Sequence, residues 1–338
     1  MEIVSAFLDH ARQEYGIEFP DKIKTDGLQH RYKMPHDKGC STSGFVTFHM
    51  DDNPLAVFGD WKEYGAEIFK WFYRDQRELT KRERDDYKSR MKESLRLSQE
   101  EDKRKKLAAA YKASELWQKE EVLVRRYEYL DIKRVGAYGV KFFDAVIAFD
   151  YFATDERKEK RDQGEIKVYP GPLMVVPVQN QTDQLVSLQQ ISRNGKFKGF
   201  LPDGMKKGCF HVIHGHENYI FVCEGYATGA SIFELTGCTV YIAFDCGNLE
   251  AVCMAVKARH KNAIKIIASD DDRKTLTPIK NPGQTKANSI CSNTEFHNLK
   301  PEFASNEDGT DWNDLTFFRS AEELKARIRT FIRSILHA

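Results

Sequence analysis

Carboxylates fall at the ends of three apolar runs in the C-terminal half of this sequence. Glu224 closes the run in Phe221-Val222-Cys223-Glu224-Gly225-Tyr226-Ala227-Thr228-Gly229, and Asp245 follows Ala243-Phe244. Asp270-Asp271-Asp272 closes Ile266-Ile267-Ala268-Ser269. In an open parallel sheet the carboxyl ends of the strands converge on one crevice, so acids far apart in sequence gather along one edge. Side chains at i and i+2 of an extended segment point the same way. Asp270 and Asp272 are therefore expected to face one divalent ion, with Asp271 turned elsewhere. Hard oxygen ligands of this kind suit Mg²⁺ or Mn²⁺. Carboxylates packed together repel one another unless a cation lies among them, which is itself a reason to expect metal. An acid after a strand also serves as a helix N-cap. For Asp245 taken alone both readings stand.

The surrounding pattern supplies the scaffold those acids need. After residue 215 apolar strand candidates at 219–223, 239–244 and 264–268 alternate with helix candidates at 227–236, 248–260, 283–293 and 320–336. Alternating strands and helices with apolar strands predict a parallel sheet covered on both faces. Upstream, 173–178 and 185–190 read as short strands split by a polar turn. A basic loop follows, in which Lys196, Lys198, Lys206 and Lys207 flank Phe200-Leu201-Pro202. The stretch 76–128 is rich in Lys, Arg and Glu and contains no Pro or Gly. It predicts one long helix or two shorter ones, and its alternating charge predicts a solvated face. Near the N-terminus, residues 44–49 alternate as a half-buried strand does. Trp61, Phe69 and Trp71 are expected in a core, with base stacking the other use for such rings. The organisation expected is a 1–75 α+β module, a 76–128 charged helical linker, a 129–214 basic α+β subdomain, a 215–318 α/β catalytic domain and a 319–338 C-terminal helix.

Composition bounds the class. Over 338 residues the net charge is +1, with 41% hydrophobic and 30% charged residues. Nucleic-acid binding would then rest on local positive potential, not on overall charge. Seven cysteines, at 40, 209, 223, 238, 246, 253 and 291, form no CxxC pair. That argues for a reducing compartment and against both a disulfide framework and a structural zinc ribbon. No secretory signal or long apolar run is read, so a cytoplasmic protein without membrane contact is expected.

Glu224-Gly225-Tyr226 with Asp270-x-Asp272 resembles the TOPRIM domain. That domain is shared by bacterial-type DNA primases, type IA and type II topoisomerases, OLD-family nucleases and some small ribonucleases. The flanking segments narrow the likeness. Residues 224–230, 243–249, Asn281-Pro282-Gly283 and 310–315 resemble the primase branch of plasmids, prophages and satellite phages. The upstream segments 185–190 and 195–202 are similar to the basic subdomain that precedes TOPRIM in those primases, and Phe58-Gly59-Asp60-Trp61 to their N-terminal region. The resemblance implies a TOPRIM fold and synthesis of short RNA primers on a single-stranded DNA template from nucleoside triphosphates. It implies that Glu224 binds metal or acts as general acid/base and that Asp270 and Asp272 hold Mg²⁺ or Mn²⁺. Asp311, with Asn313 or Asp314, would line the same site, supported by Gly225 and Asp245. Lys196, Lys198, Lys206 and Lys207 would form the ridge that guides phosphates. Thr228 departs from the family, which often has Asp four residues after the glutamate. No GxxxxGK[ST] occurs, so a separate replicative helicase is the expected partner. Metal-dependent cleavage of nucleic acid, and a catalytically silent DNA-binding accessory role, are the alternatives.

Overall fold

A computed structural model describes the chain except residues 1, 39–40, 51–53, 66, 74–79, 169–170, 277–278 and 338. Cys40 and the expected 75/76 boundary lie outside the described residues. Two compact units emerge, Met1–Arg104 and Lys105–Ala338.

In the first unit α1 (Glu2–Tyr15) accompanies strands β1 (Asp26–Tyr32), β2 (Gly44–His49), β3 (Leu55–Asp60) and β4 (Phe69–Phe72). The strands form an antiparallel sheet in the order β1-β2-β3-β4. Every second residue points to the same face, and Val46, Phe48, Ala56, Phe58 and Trp71 share one core with Phe7 and Ala11 of α1. The Phe7 ring centroid lies 5.4 Å from Phe48, 5.1 Å from Phe58 and 5.6 Å from Trp71. Phe69 packs at the edge of this core. Trp61 corrects the expectation, because it is 38% exposed. Asp60 takes the inward position at the end of β3, so the next residue turns outward and its indole stacks on Phe45 at 4.8 Å.

The charged stretch forms one helix, α2 (Lys81–Trp117), which runs through the boundary between the units. Its exposed face carries ion pairs at helical spacing, among them Arg96 with Glu93 and Glu100. In its last turns Ala109, Ala113 and Leu116 are buried.

The second unit continues with α3 (Glu128–Lys133), β5 (Lys141–Phe143), α4 (Ala145–Phe152), α5 (Asp155–Asp162), β6 (Leu173–Gln179), β7 (Leu185–Ile191) and β8 (Lys198–Phe200). These strands form an antiparallel sheet, β5-β6-β7-β8. Tyr129 and Leu130 of α3 are buried. The remaining elements are β9 (His211–Ile213), β10 (His216–Cys223), α6 (Tyr226–Thr236), β11 (Cys238–Ile242), α7 (Cys246–Arg259), β12 (Ile264–Ala268), α8 (Pro282–Asn293), β13 (Phe296–Leu299), α9 (Trp312–Leu315) and α10 (Ala321–Leu336). Their sheet has the order β13-β12-β10-β11-β9 and is parallel except for β9, which pairs antiparallel with β11.

Strand alternation divides this sheet's apolar side chains between two cores. Phe221, Val240, Ile242 and Ile266 face Ala227, Ala230 and Ile232 of α6 and Leu324 and Ile328 of α10. Ile220, Val222, Tyr241 and Ile267 face Leu249, Val252 and Val256 of α7 and Ala287 and Ile290 of α8. Burying each large aliphatic side chain contributes about 1.5–3 kcal/mol. The sheet is held from both faces, which leaves its carboxyl edge as the place where polar loops gather.

Candidate active site

Glu224 follows the last residue of β10, and Asp270 and Asp272 follow β12. The two strands are parallel neighbours with Tyr219 opposite Ile264, a register offset of 45 residues. Continuing that register sets Glu224 level with Ser269, beside Asp270. The spacing of the two acidic motifs in sequence is therefore the register of one strand pair. Asp311 arrives from another direction, as the N-cap of α9, where its Oδ1 accepts the Asp314 N–H at 2.7 Å.

The electrostatics tie these acids together. Burial pushes Glu224 up to about 7, with Asp272 and Asp245 adding repulsion. Burial pushes Asp270 up to about 9, helped by Glu224, Asp311, Asp272 and Asp314. Asp311 also lies above the ordinary carboxyl range because it is buried and faces Asp314. The Asp314 N–H, Lys133 and the Thr228 hydroxyl oppose that rise. Thr228, the departure noted in the sequence, thus supports Asp311. Glu224 Oε1 and Asp270 Oδ1 are shut off from solvent and accept no hydrogen bond. A shielded carboxylate oxygen without a partner is costly and calls for a proton or a cation. An all-oxygen donor set with such atoms fits a hard divalent ion. The oxygens of Glu224, Asp270 and Asp272 do not close to within 4.8 Å of one another, a spacing met among the described residues by His36, Asp60 and Glu63 in the first unit.

The loop after β12 is braced by the segments around it. Asp271 is buried, and its Oδ1 accepts the Asn281 amide at 2.7 Å with Lys300 Nζ at 3.4 Å. The Asp271 N–H donates to Thr310 O at 2.6 Å, joining the 270–272 loop to the segment that carries Asp311. Asn281 adopts φ 46°, and Pro282-Gly283 then opens α8. A Cβ at Gly283 would lie 2.7 Å from the carbonyl oxygen of Asp270, so this glycine lets α8 approach the backbone of an acid. Gly283→Ala is expected to destabilise the chain by about 1–3 kcal/mol through overpacking. It is also expected to weaken Mn²⁺ binding about tenfold by displacing Asp270. Denaturant midpoints and a Mn²⁺ titration measure the two effects, and unchanged Mn²⁺ affinity would detach Gly283 from the site.

Residues 219–322 match the Toprim domain family. The chain carries a Toprim domain. Over 288 residues the sequence is 29% identical to a DNA primase TraC from Escherichia coli, covering 83% of this chain and 24% of that protein. A second TraC primase from Escherichia coli is 35% identical over 140 residues, covering 40% of this chain and 10% of that protein. The chain therefore spans about a quarter or less of the length of these curated relatives. The solved catalytic core of DnaG is 14% identical and superposes with a TM-score of 0.40 over 67% of this chain and 79% of that one.

The lysines meet the Toprim acids unequally. Lys198 on β8 holds its ammonium 5.2 Å from the Tyr129 ring. Loss of bulk solvent and the charge of Lys133 lower its pKa, while Asp311 and Asp270 oppose that. The residue keeps exposed surface, so it does not lie in a core. Lys206 pairs with Asp245 and lies 4.8 Å from the Phe200 ring. Lys196 and Lys207 are exposed. Asp245 Oδ1 caps α7 at Asn248 (2.9 Å), and its charge contributes to raising Glu224. Asn313 is fully buried, and its amide donates to Lys133 O at 2.7 Å and Ser231 Oγ at 2.9 Å, so it braces the domain from behind. Asp314 lies 3.2 Å from Lys133 Nζ and accepts the Thr310 N–H at 3.1 Å. Gly225 is the N-cap of α6 without a side-chain cap. A Cβ there would meet Thr228 Oγ1 at 3.8 Å, ordinary contact, so the fold does not require glycine at this position.

Two residues beside the site gave no sequence signal. Lys133 stands beside Asp311, Asp314 and Lys198 from a helix outside the Toprim domain. Phe244 has φ 71°, uncommon for a bulky residue, and its ring meets Phe200 edge-on at 5.4 Å. That contact joins β8 to the loop carrying Asp245.

Proposed function

We propose that the chain is a DNA primase catalytic core that joins ribonucleotides on single-stranded DNA in a metal-dependent reaction. The observation that carries this reading is the set of mutually repelling carboxylates at the sheet edge, with Glu224 Oε1 and Asp270 Oδ1 left without hydrogen bonds. The two TraC relatives, both DNA primases, support it. Glu224, Asp270 and Asp272 would hold Mg²⁺ or Mn²⁺, with Asp311 beside them. A bound divalent ion supplies Lewis acidity to a triphosphate and acidifies the attacking hydroxyl.

The chain's own residues set the geometry. Lys198, and Lys206 when released from Asp245, offer charge to triphosphate oxygens at the mouth of the site. Lys196 and Lys207 extend that charge along the template phosphates. Where Glu224 does not ligate the ion, its carboxyl would exchange a proton at the reacting 3′-hydroxyl. Lys133 keeps Asp311 and Asp314 oriented. Unwinding would come from a separate helicase. Among the described residues no helix is long and apolar enough to cross a membrane.

Labelled single-stranded DNA incubated with ribonucleoside triphosphates and Mn²⁺ tests the proposal. New RNA chains support it; shortened DNA would assign the same acids to a nuclease, and neither product with binding intact would leave an accessory protein. The lysines make a second test. Lys196→Ala is expected to weaken template binding uniformly and reduce its salt slope by about 1. Lys198→Ala is expected to act mainly on turnover, by about tenfold or more. Equal effects of the two on turnover would remove the distinction drawn from their positions.

A further inference from the structure

We propose that His36, Asp60 and Glu63 form a transition-metal site in the N-terminal unit, with Zn²⁺ the ion their chemistry suits. The three residues each bring a ligand atom within 4.8 Å of the other two. Asp60 ends β3 opposite Gly44 of β2, and His36 comes from the loop between β1 and β2. Glu63 lies in the turn just after β3, and both His36 and Glu63 are exposed.

Asp60 is the second and independent observation. It is 1% exposed, and its Oδ1 accepts the Lys62 N–H at 2.9 Å. Its Oδ2 is shielded from solvent and accepts no hydrogen bond. His36 Nε2 lies 3.2 Å from that oxygen without the geometry of a hydrogen bond, and His36 Nδ1 lies 3.6 Å from Glu63 Oε1. The nearby Lys62 ammonium is committed elsewhere, 2.6 Å from Asp37 Oδ1. The other oxygen of Asp37 accepts the N–H groups of Met34 and Ser43 and the Ser43 hydroxyl. Asp37 is thereby satisfied, while Asp60 keeps one oxygen aimed at an imidazole and a second carboxylate.

Zinc bound through nitrogen and oxygen at about 2.0–2.2 Å with tetrahedral angles separates its ligand atoms by about 3.3–3.6 Å. The 3.6 Å between His36 Nδ1 and Glu63 Oε1 meets that range, while the 3.2 Å to Asp60 Oδ2 is measured from Nε2, the other ring nitrogen. One ring nitrogen would bind the ion, and the other would keep a hydrogen bond, as metal-ligating histidines do. Ser43 Oγ stands 3.0 Å from His36 Nε2 and its own hydrogen goes to Asp37, so it is placed to hold the ring. One imidazole with two carboxylates favours Zn²⁺ over Mg²⁺, which prefers oxygen alone. Three protein ligands leave a fourth position open to water. The ion would fasten the β1–β2 loop to the end of β3.

The competing arrangement is a protonated His36 bridging two carboxylates with no metal. The test uses the full chain carrying Asp270→Asn and Asp272→Asn, which silences the Toprim acids. Equilibrium dialysis of the metal-free protein is expected to give one Zn²⁺ per chain, with X-ray absorption showing nitrogen and oxygen ligands and no sulfur. His36→Gln, on an exposed side chain, is expected to lower the affinity by about 100-fold or more, and Glu63→Gln by about tenfold. Asp60→Asn should abolish binding, with circular dichroism confirming that the sheet remains. Failure to take up zinc, sulfur ligation, or unchanged affinity in His36→Gln would each overturn the site.

Discussion

Asp272→Asn is expected to reduce primer synthesis by about 1000-fold or more while shifting the thermal midpoint by only a few degrees. Loss of a single well-placed electrostatic group in an active site costs about 100–1000-fold, and a carboxylate that helps to hold the ion sits at or above that range. Asp272 enters the site chiefly through charge, since it raises both Glu224 and Asp270. The substitution keeps the shape of the side chain and the backbone bond from Thr275 N–H to the residue's carbonyl at 2.8 Å. Removing the charge also relieves repulsion on Glu224, so Glu224 should titrate lower in the variant. Asp271→Asn is the contrasting case. Its carboxylate braces Asn281 and Lys300, so the loss should fall on stability, about 1–3 kcal/mol, with much of the synthesis retained. Primer-extension rates and calorimetry on the two variants separate the roles. Full activity in Asp272→Asn would remove that residue from the site.

The division between neighbouring acids shows what the sequence could disclose. The alternation of apolar runs and helices specified a Toprim-type α/β sheet, because burial on both faces imposes an apolar strand at 219–223 and, apart from Lys265, another at 264–268. The i, i+2 rule anticipated that Asp271 would part from its neighbours, and the structure turns it toward Asn281 and Lys300. Strands of three or four residues were not legible. His211–Ile213 and Phe296–Leu299 pair at the sheet edges, and such short segments show no period. Nor were α4 and α5, where a mostly apolar run and a wholly charged run carry little helical contrast. At the site, the sequence supplied the acids that end strands but not Lys133, whose role depends on where α3 packs. It also missed the left-handed turn at Phe244, since a bulky aromatic there runs against backbone preference. His36, Asp60 and Glu63 passed unnoticed for a similar reason. Their proximity depends on antiparallel pairing of β2 with β3, and no spacing rule joins them.

Metal-free protein is expected to lose stability steadily as pH rises from about 5 to 9, and Mn²⁺ is expected to reverse the loss. Asp270 titrates near 3.8 when unfolded and at about 9 in the fold, and Glu224 moves from 4.5 to about 7. Between those limits the folded chain holds protons that the unfolded chain has released, so unfolding releases protons and rising pH favours it. Each such proton contributes a slope of about 1.4 kcal/mol per pH unit. The Glu224 contribution ends near pH 7, and the Asp270 contribution continues toward pH 9. A divalent ion replaces these protons, so its apparent affinity should rise up to about tenfold per pH unit for each proton displaced, levelling as the carboxyls ionise. Asp270→Asn removes the charge that burial opposes; the variant should be more stable than the parent at pH 8.5 without metal and should gain little from Mn²⁺. Calorimetric midpoints at pH 6, 7.5 and 9, with and without Mn²⁺, measure every part of this. A midpoint that stays level across this range in metal-free parent protein, or a Mn²⁺ response that survives intact in Asp270→Asn, would show that these carboxylates neither crowd one another nor share an ion.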